Sequence, residues 1–264
     1  MPVKEKPDTS QTMSFWEHLD VMRGYLLRMA VVILALFLVA FCFKGTLFDI
    51  VLAPRDGGFI TYRLINRVAS SLGLEPMPPF SVELINTGLA GQFVAHMKVA
   101  FYAALLCASP FVLYMAFRFV SPALYARERH YALRVMPGAF VMFMVGLLLG
   151  YFVIFPLTFR FLGTYHVSGE VSNLISLQSY ISTFVMMSLL MGLLFELPVL
   201  CWLLARMGLL TAPAMCRYRR HAIVAILILS AVITPTSDAF TLALVALPVY
   251  LLYELSIVIV KRVG

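Results

Sequence analysis

A chain of 264 residues that is 62% hydrophobic and only 12% charged, with a mean hydropathy of +0.93, lies far outside the range of soluble domains, which are about a quarter charged. Several runs approach or exceed the ~20 apolar residues that cross ~30 Å of hydrocarbon as a helix, and because they are continuous rather than alternating they exclude a β-barrel. The net charge of +7, which would suggest nucleic acid in a soluble protein, reads here as the basic flanks of membrane helices, so no nucleic-acid partner is expected.

The sequence therefore predicts an all-α integral membrane protein with six spans, at about 25–43, 93–117, 134–158, 178–204, 222–235 and 239–260. Residues 1–24 form a polar approach segment, and residues 25–264 form one six-helix transmembrane domain. The apolar run after Tyr25 is too long for the core of a signal peptide and is kept as the first span. Of the twenty Lys and Arg, fourteen fall on the side of the two termini and six on the other. This asymmetry predicts that both termini are cytoplasmic.

The segment 44–92 is the longest connection. Its "FITYRLINRVASSLGL" reads as an amphipathic helix stopped by "EPMPP", forming an ordered cap on the outer surface. Downstream, Pro110, Pro137, Pro156, Pro198 and Pro248 interrupt the spans. Each removes a backbone hydrogen bond and bends its helix, which favours kinked helices arranged as a curved, bowl-like wall. Gly146 and Gly150 lie on one face of the third span and predict close helix packing. The fifth span is short, with about thirteen apolar residues between His221 and Pro235, roughly 20 Å at 1.5 Å per residue. Such a span thins the bilayer or draws flanking groups inward. No internal repeat is visible, contrary to the pattern of many carriers.

Two acids stand within the spans. An ionisable group at that depth is expensive, so Glu196 in "LLFELPV" is a functional candidate. Its alternative reading is a neutral carboxyl that satisfies a backbone group freed by Pro198. Glu254 lies nearer the cytoplasmic end and is expected to reach Lys261 or the interface. Enzyme readings find little support: the five histidines are dispersed, no HExxH, GxSxG or phosphate-binding loop occurs, and Ser188 has no base near it in the spans. Cys42, Cys107, Cys201 and Cys216 show no metal-ligand spacing and read as free thiols. No metal or other cofactor is expected.

The cytoplasmic face is more informative. "FWEHLDVMRGYLLR" carries Glu17, Asp20 and Arg23 into the first span, and "FVSPALYARERH", residues 119–130, gathers Phe119, Arg127, Glu128 and Arg129 between two apolar runs. Carboxylates beside aromatic surface suit a basic peptide followed by an apolar one, because they take guanidinium forks in charge-assisted pairs. Local Arg–Glu pairing of topological charge is the plainer alternative.

The motifs "HLDVMR", "FVSPALYARER", "YFVIFPLTFRFL", "FELPV", "ITPTSD" and "LPVYLLYE" resemble, in order and spacing, the TatC family, the multi-spanning receptor subunits of the twin-arginine protein translocase. The resemblance runs from about Phe15 to the end of the chain. It implies a receptor for twin-arginine signal peptides of folded cargo, working with TatA- and TatB-like single-span subunits and more than one copy of itself, and driven by the proton-motive force. It also implies that Phe119, Glu128, Arg129 and Arg23 contact the signal peptide and that Glu196 is the family's intramembrane acid. Two departures stand out. The family pattern HLxELR has its acid where this chain has Val21, with Asp20 one position earlier and about 100° round a helix. The frequent Gln after TPxD is absent, and Thr241 is the polar group nearby. The rival reading is a proton-coupled small-solute permease that uses Glu196 and Glu254.

Overall fold

The computed structural model describes residues 15–78, 80, 82–120, 129–165, 173–234 and 238–262. Eleven helices occur among them: α1 (Phe15–Cys42), α2 (Lys44–Leu52), α3 (Ile60–Ser71), α4 (Gly91–Val120), α5 (Arg129–Leu149), α6 (Phe155–Thr164), α7 (Leu177–Leu194), α8 (Leu197–Arg206), α9 (Ala212–Arg217), α10 (Arg219–Ile233) and α11 (Ala239–Lys261). Among the described residues, five helical stretches are long and apolar enough to cross a membrane: Asp20–Cys42, Gly91–Phe119, Val135–Thr164, Leu177–Arg206 and Ala239–Lys261. The expected fifth span corresponds to α10, which at 15 residues is shorter than these. One element falls outside the all-helical expectation. Leu84–Ile85 (β1) and Ile175–Ser176 (β2) form a two-residue parallel pair where two connections run side by side.

Helix ends follow local chemistry. The Asp238 carboxylate accepts the Thr241 N–H at 2.7 Å and opens α11, as a short acidic side chain does for an orphan donor at a helix start. Ser176 does the same for α7 through the Ser179 N–H.

The stretch made of α7 and α8 is central, with half of its most apolar window buried, whereas no residue in that window of α1 is buried. α1 packs on α4, α4 and α5 pack on α7, α8 packs on α11, and α10 packs on α11. The close approach of α5 to α7 depends on glycine. A Cβ on Gly146 would stand 2.6 Å from the Met191 carbonyl oxygen, and one on Gly150 would stand 2.9 Å from the Ser188 Cα.

The five prolines act differently. Pro110, Pro137 and Pro248 sit inside continuous helices. Pro198 follows a break at Phe195–Glu196. Pro156 follows a wide turn, Gly150–Ile154, in which the Phe155 N–H reaches back to the Gly150 carbonyl. Insertion of such a turn accommodates a residue that cannot donate to the ladder. The third stretch also continues to Thr164, beyond the expected end at 158. Its last turns leave the apolar zone, and there the Arg160 guanidinium donates to the Pro78 carbonyl at 2.7 Å.

The segment α2–α3 covers the end of the bundle where α1 finishes and α4 begins. Tyrosine hydroxyls fasten it there. Tyr151 donates to the Ile50 carbonyl at 2.8 Å and Tyr180 to the Val51 carbonyl at 3.0 Å. Both acceptors belong to the last turn of α2, whose carbonyls have no partner within the helix. From α3, the Thr61 hydroxyl donates to the Phe152 carbonyl, and the Tyr62 hydroxyl lies 2.8 Å from the Pro156 carbonyl and 3.1 Å from the Pro54 carbonyl. Arg160 lies over the rings of Tyr62 and Phe80, at 5.5 and 5.0 Å from their centroids.

Candidate functional site

At the end of the bundle opposite this cap, the start of α1 meets the end of α4. Tyr25 and Phe119 touch edge to face, with ring centroids 6.3 Å apart. A shallow depression of about 370 Å³ runs beside them along α1, lined by Asp20, Val21, Gly24, Tyr25 and Arg28. Asp20, Gly24 and Arg28 are spaced four apart and so share one helix face. The Arg28 guanidinium is 5.9 Å from the centre of the Tyr25 ring. The depression therefore offers one carboxylate, one cation and an aromatic wall on an exposed surface.

The structure thus joins two of the segments that sequence reasoning assigned to one site. Asp20 lines the depression beside Val21, the position where the acid was expected. Phe119 is half-buried against α1, and Arg23 is exposed and does not line the depression. Arg127 and Glu128 lie outside the described residues. Arg129 is described only as the first residue of α5.

Glu196 sits at the break between α7 and α8, ten residues before the end of the fourth stretch, and is 5% exposed. Its Oε1 is buried without a hydrogen-bond partner among the described residues. This oxygen therefore does not satisfy the backbone group freed by Pro198. Its neighbour Phe195 forms part of an apolar groove of about 670 Å³ between the third stretch and α11.

Glu254 behaves otherwise. It accepts from Arg219 at 2.8 Å, in an ion pair, and from the Tyr250 hydroxyl at 3.0 Å. The expected partner was Lys261, but Arg219 opens α10 and reaches the acid from the neighbouring helix. With the Tyr253 hydroxyl on the Met215 carbonyl at 2.8 Å, these contacts tie the start of α10 to α11. An acid engaged in this way is poorly placed to pass protons to Glu196, and the permease reading loses one of its two groups.

Sequence reasoning did not single out His96, which stacks on Phe41 at 4.0 Å and is buried where α1, α2 and α4 meet. Lys98, whose ammonium donates to the Ser182 hydroxyl at 2.8 Å, was counted only as a charge. All four cysteines are free thiols.

The sequence profile of one family, Sec-independent protein translocase protein (TatC), matches residues 17–248. The TatC of Deinococcus radiodurans is 32% identical over 97% of this chain and 89% of its own length. That of Koribacter versatilis is 34% identical over 93% of this chain and 84% of its own. A crystal structure of the twin-arginine translocase receptor TatC superimposes with a TM-score of 0.74 at 29% identity, covering 94% of this chain and 99% of the other. A second, of that receptor in DDM, gives 0.75 at 28%, covering 93% and 100%.

Proposed function

The chain belongs to the TatC family of Sec-independent protein translocase proteins, and on that premise we propose that it is the signal-receiving core of a twin-arginine export machine, a receptor with no bond-making chemistry of its own. It is an integral, multi-pass protein of the inner membrane that serves protein transport.

The architecture that fits this role has six crossings, both termini in the cytoplasm, and kinked helices set as a curved wall. Residues 1–24 lead into a single domain over 25–264. Five crossings are the long apolar stretches and the sixth is α10. In support, α10 begins beside the late part of α11 through Arg219–Glu254, while at the other end of α11 Phe240 stacks on Phe161 of α6 at 4.6 Å. The 15 residues of α10 rise about 22 Å, against ~30 Å of hydrocarbon. Mismatch of this size favours a locally thinned bilayer, which eases passage of a large folded cargo.

In this reading the Glu128 and Asp20 carboxylates take the paired guanidiniums of the signal, Phe119 and Tyr25 wall the apolar part that follows, and Arg23 and Arg129 complete the contact set. Charge-assisted bonds of this kind contribute roughly 1.5–3 kcal/mol each. Glu196 lies too deep to meet the arginine pair and acts in a later step, when the apolar part of the signal enters the bundle. TatA- and TatB-like single-span subunits and further copies of this chain complete the machine, and the proton-motive force drives it.

The observation that carries the proposal is the contact of Tyr25 with Phe119, which brings the depression that Asp20 lines on α1 beside the end of α4. Photo-crosslinking tests it. A signal peptide bearing "RR" should label residues 20–28 and 119–129 of the purified protein, and a "KK" version should not. Equal labelling by both peptides sinks the assignment.

A further inference from the structure

A second cleft, of about 340 Å³, opens between α4 and the α5 end of the third stretch, beneath α2. It exists because α4 presents two small residues one turn apart, Ala103 and Cys107, towards Leu148. Phe184 of the central α7 closes its back, packed edge to face on Tyr102 at 5.6 Å. The Tyr151 hydroxyl is held by the Ile50 carbonyl, so that side chain shows the cleft only its ring.

The position of the cleft limits what can fill it. Its lip residues Ile50 and Leu148 are apolar and 51% and 49% exposed, and an exposed apolar lip beside spanning helices suits hydrocarbon rather than water. Its upper end is closed by Leu47 and Val51 of α2. A spanning helix, about 10 Å across with its side chains, needs a groove open at both ends and cannot run past this roof. At ~30 Å³ for each water-sized group, the space holds about eleven such groups, and a methylene is of that size. A single hydrocarbon chain fits.

Tails gain no hydrophobic energy by leaving other tails, so a chain is retained only by close packing and by a hold on its headgroup. Lys44 provides the hold. It opens α2, is exposed, and stands three residues before Leu47, on the helix face that roofs the cleft. A lysine in that place suits a phosphate as a point charge.

We propose that this cleft binds one acyl chain of a phospholipid from the leaflet on the cap side, with Lys44 holding the lipid phosphate.

The test uses the full chain in mild detergent and phosphatidylglycerol with a diazirine at mid-chain. Adducts should concentrate on peptides containing Ala103–Cys107 and Leu148, about ten-fold over the flat lipid-facing surface at Val141. Ala103→Trp fills the cleft and should lower phospholipid retention in native mass spectrometry about ten-fold, whereas Val141→Trp should not. A diacylglycerol with the same chains should be retained less than the phospholipid, and Lys44→Gln should remove that preference. Adducts spread evenly over exposed helix faces overturn the proposal, as does a polypeptide cross-linked at Cys107 in place of lipid. Because the adduct map is made on the unaltered chain, it decides the matter even where Ala103→Trp does not fold.

Discussion

The Thr61 hydroxyl donates to the carbonyl of Phe152, four residues before Pro156, so that the cap supplies the donor that proline cannot. A buried carbonyl left without a partner costs about 1–3 kcal/mol. Thr61→Val should therefore lower thermal stability in detergent by about 1–2 kcal/mol, and Thr61→Ser should recover most of it. Equal melting of Thr61→Val and the unaltered protein would show that water serves the carbonyl as well.

Tyr62 gives the cap a pH limit. Burial pushes its hydroxyl well above the ordinary tyrosine range, partly offset by the Arg160 charge. The neutral form is thus favoured in the folded state, while the unfolded chain ionises near pH 10. The contribution of this group is complete below pH 10 and declines as pH rises above it. Between pH 9 and about 11 the unaltered protein should lose more stability than Tyr62→Phe does. Parallel curves for the two would contradict this.

Gly146 has no room for a methyl group, since a Cβ there would lie 2.6 Å from both the Met191 carbonyl oxygen and the Phe195 ring. Gly146→Ala should cost about 1–3 kcal/mol through strain between α5 and α7. Gly138, also on α5, has nothing within 4 Å of its Cβ position, and Gly138→Ala should be neutral or stabilise by up to about 1 kcal/mol. Melting of the two variants side by side separates packing from helix propensity.

Removing charge without shape tests the recognition site. Glu128→Gln should weaken binding of an "RR" peptide about ten- to a hundred-fold, the equivalent of one charge-assisted contact. Asp20→Asn should weaken it less, because that acid is exposed on the rim of the depression. Titration calorimetry of both variants reads the difference. Unchanged binding in a folded Glu128→Gln protein rejects the assignment.

Glu196→Gln should separate stability from transport. Its Oε1 is buried and unbonded among the described residues, so loss of the acid should leave melting unchanged or raise it, while "RR" binding persists and export of cargo into vesicles falls. Lost arginine recognition with normal export of whatever still binds would reverse the roles proposed here.

The long apolar stretches were readable because hydrophobic length is a local property, and the observed ends differ from the expected ones by six residues at most, at Thr164. Contacts that depend on distant partners were not. Glu254 has Lys261 within two turns of its own helix, yet it pairs with Arg219, 35 residues away. Nothing local marks that choice, which follows from the packing of α10 against α11. The roles of Thr61 and Tyr62 were hidden for the same reason, although a proline in the third span already announced an acceptor in need of a donor. At the candidate site, the residue types in "HLDVMR" and "FVSPALYARER" pointed to one peptide-binding surface. That the two segments meet through Tyr25 and Phe119 is marked in neither motif and follows from the packing of α1 on α4.

The cap has a consequence for how the chain is made. Thr61 and Tyr62 leave the ribosome 91 and 94 residues before the carbonyls they bond, which at 5–20 residues per second is a delay of about 5–20 s. During that interval α3 has only the Pro54 carbonyl as an acceptor for Tyr62, and α2 lacks the tyrosines of the third and fourth stretches. The segment must wait for those stretches, folded locally at best. Fastening comes only when Tyr180 follows Phe152 and Pro156 into place. A nascent chain cut short before that point lacks these bonds and should be the more open to proteolysis, as limited digestion of truncated and complete chains would read. The same bonds that steady the mature protein thereby distinguish finished chains from unfinished ones during biogenesis.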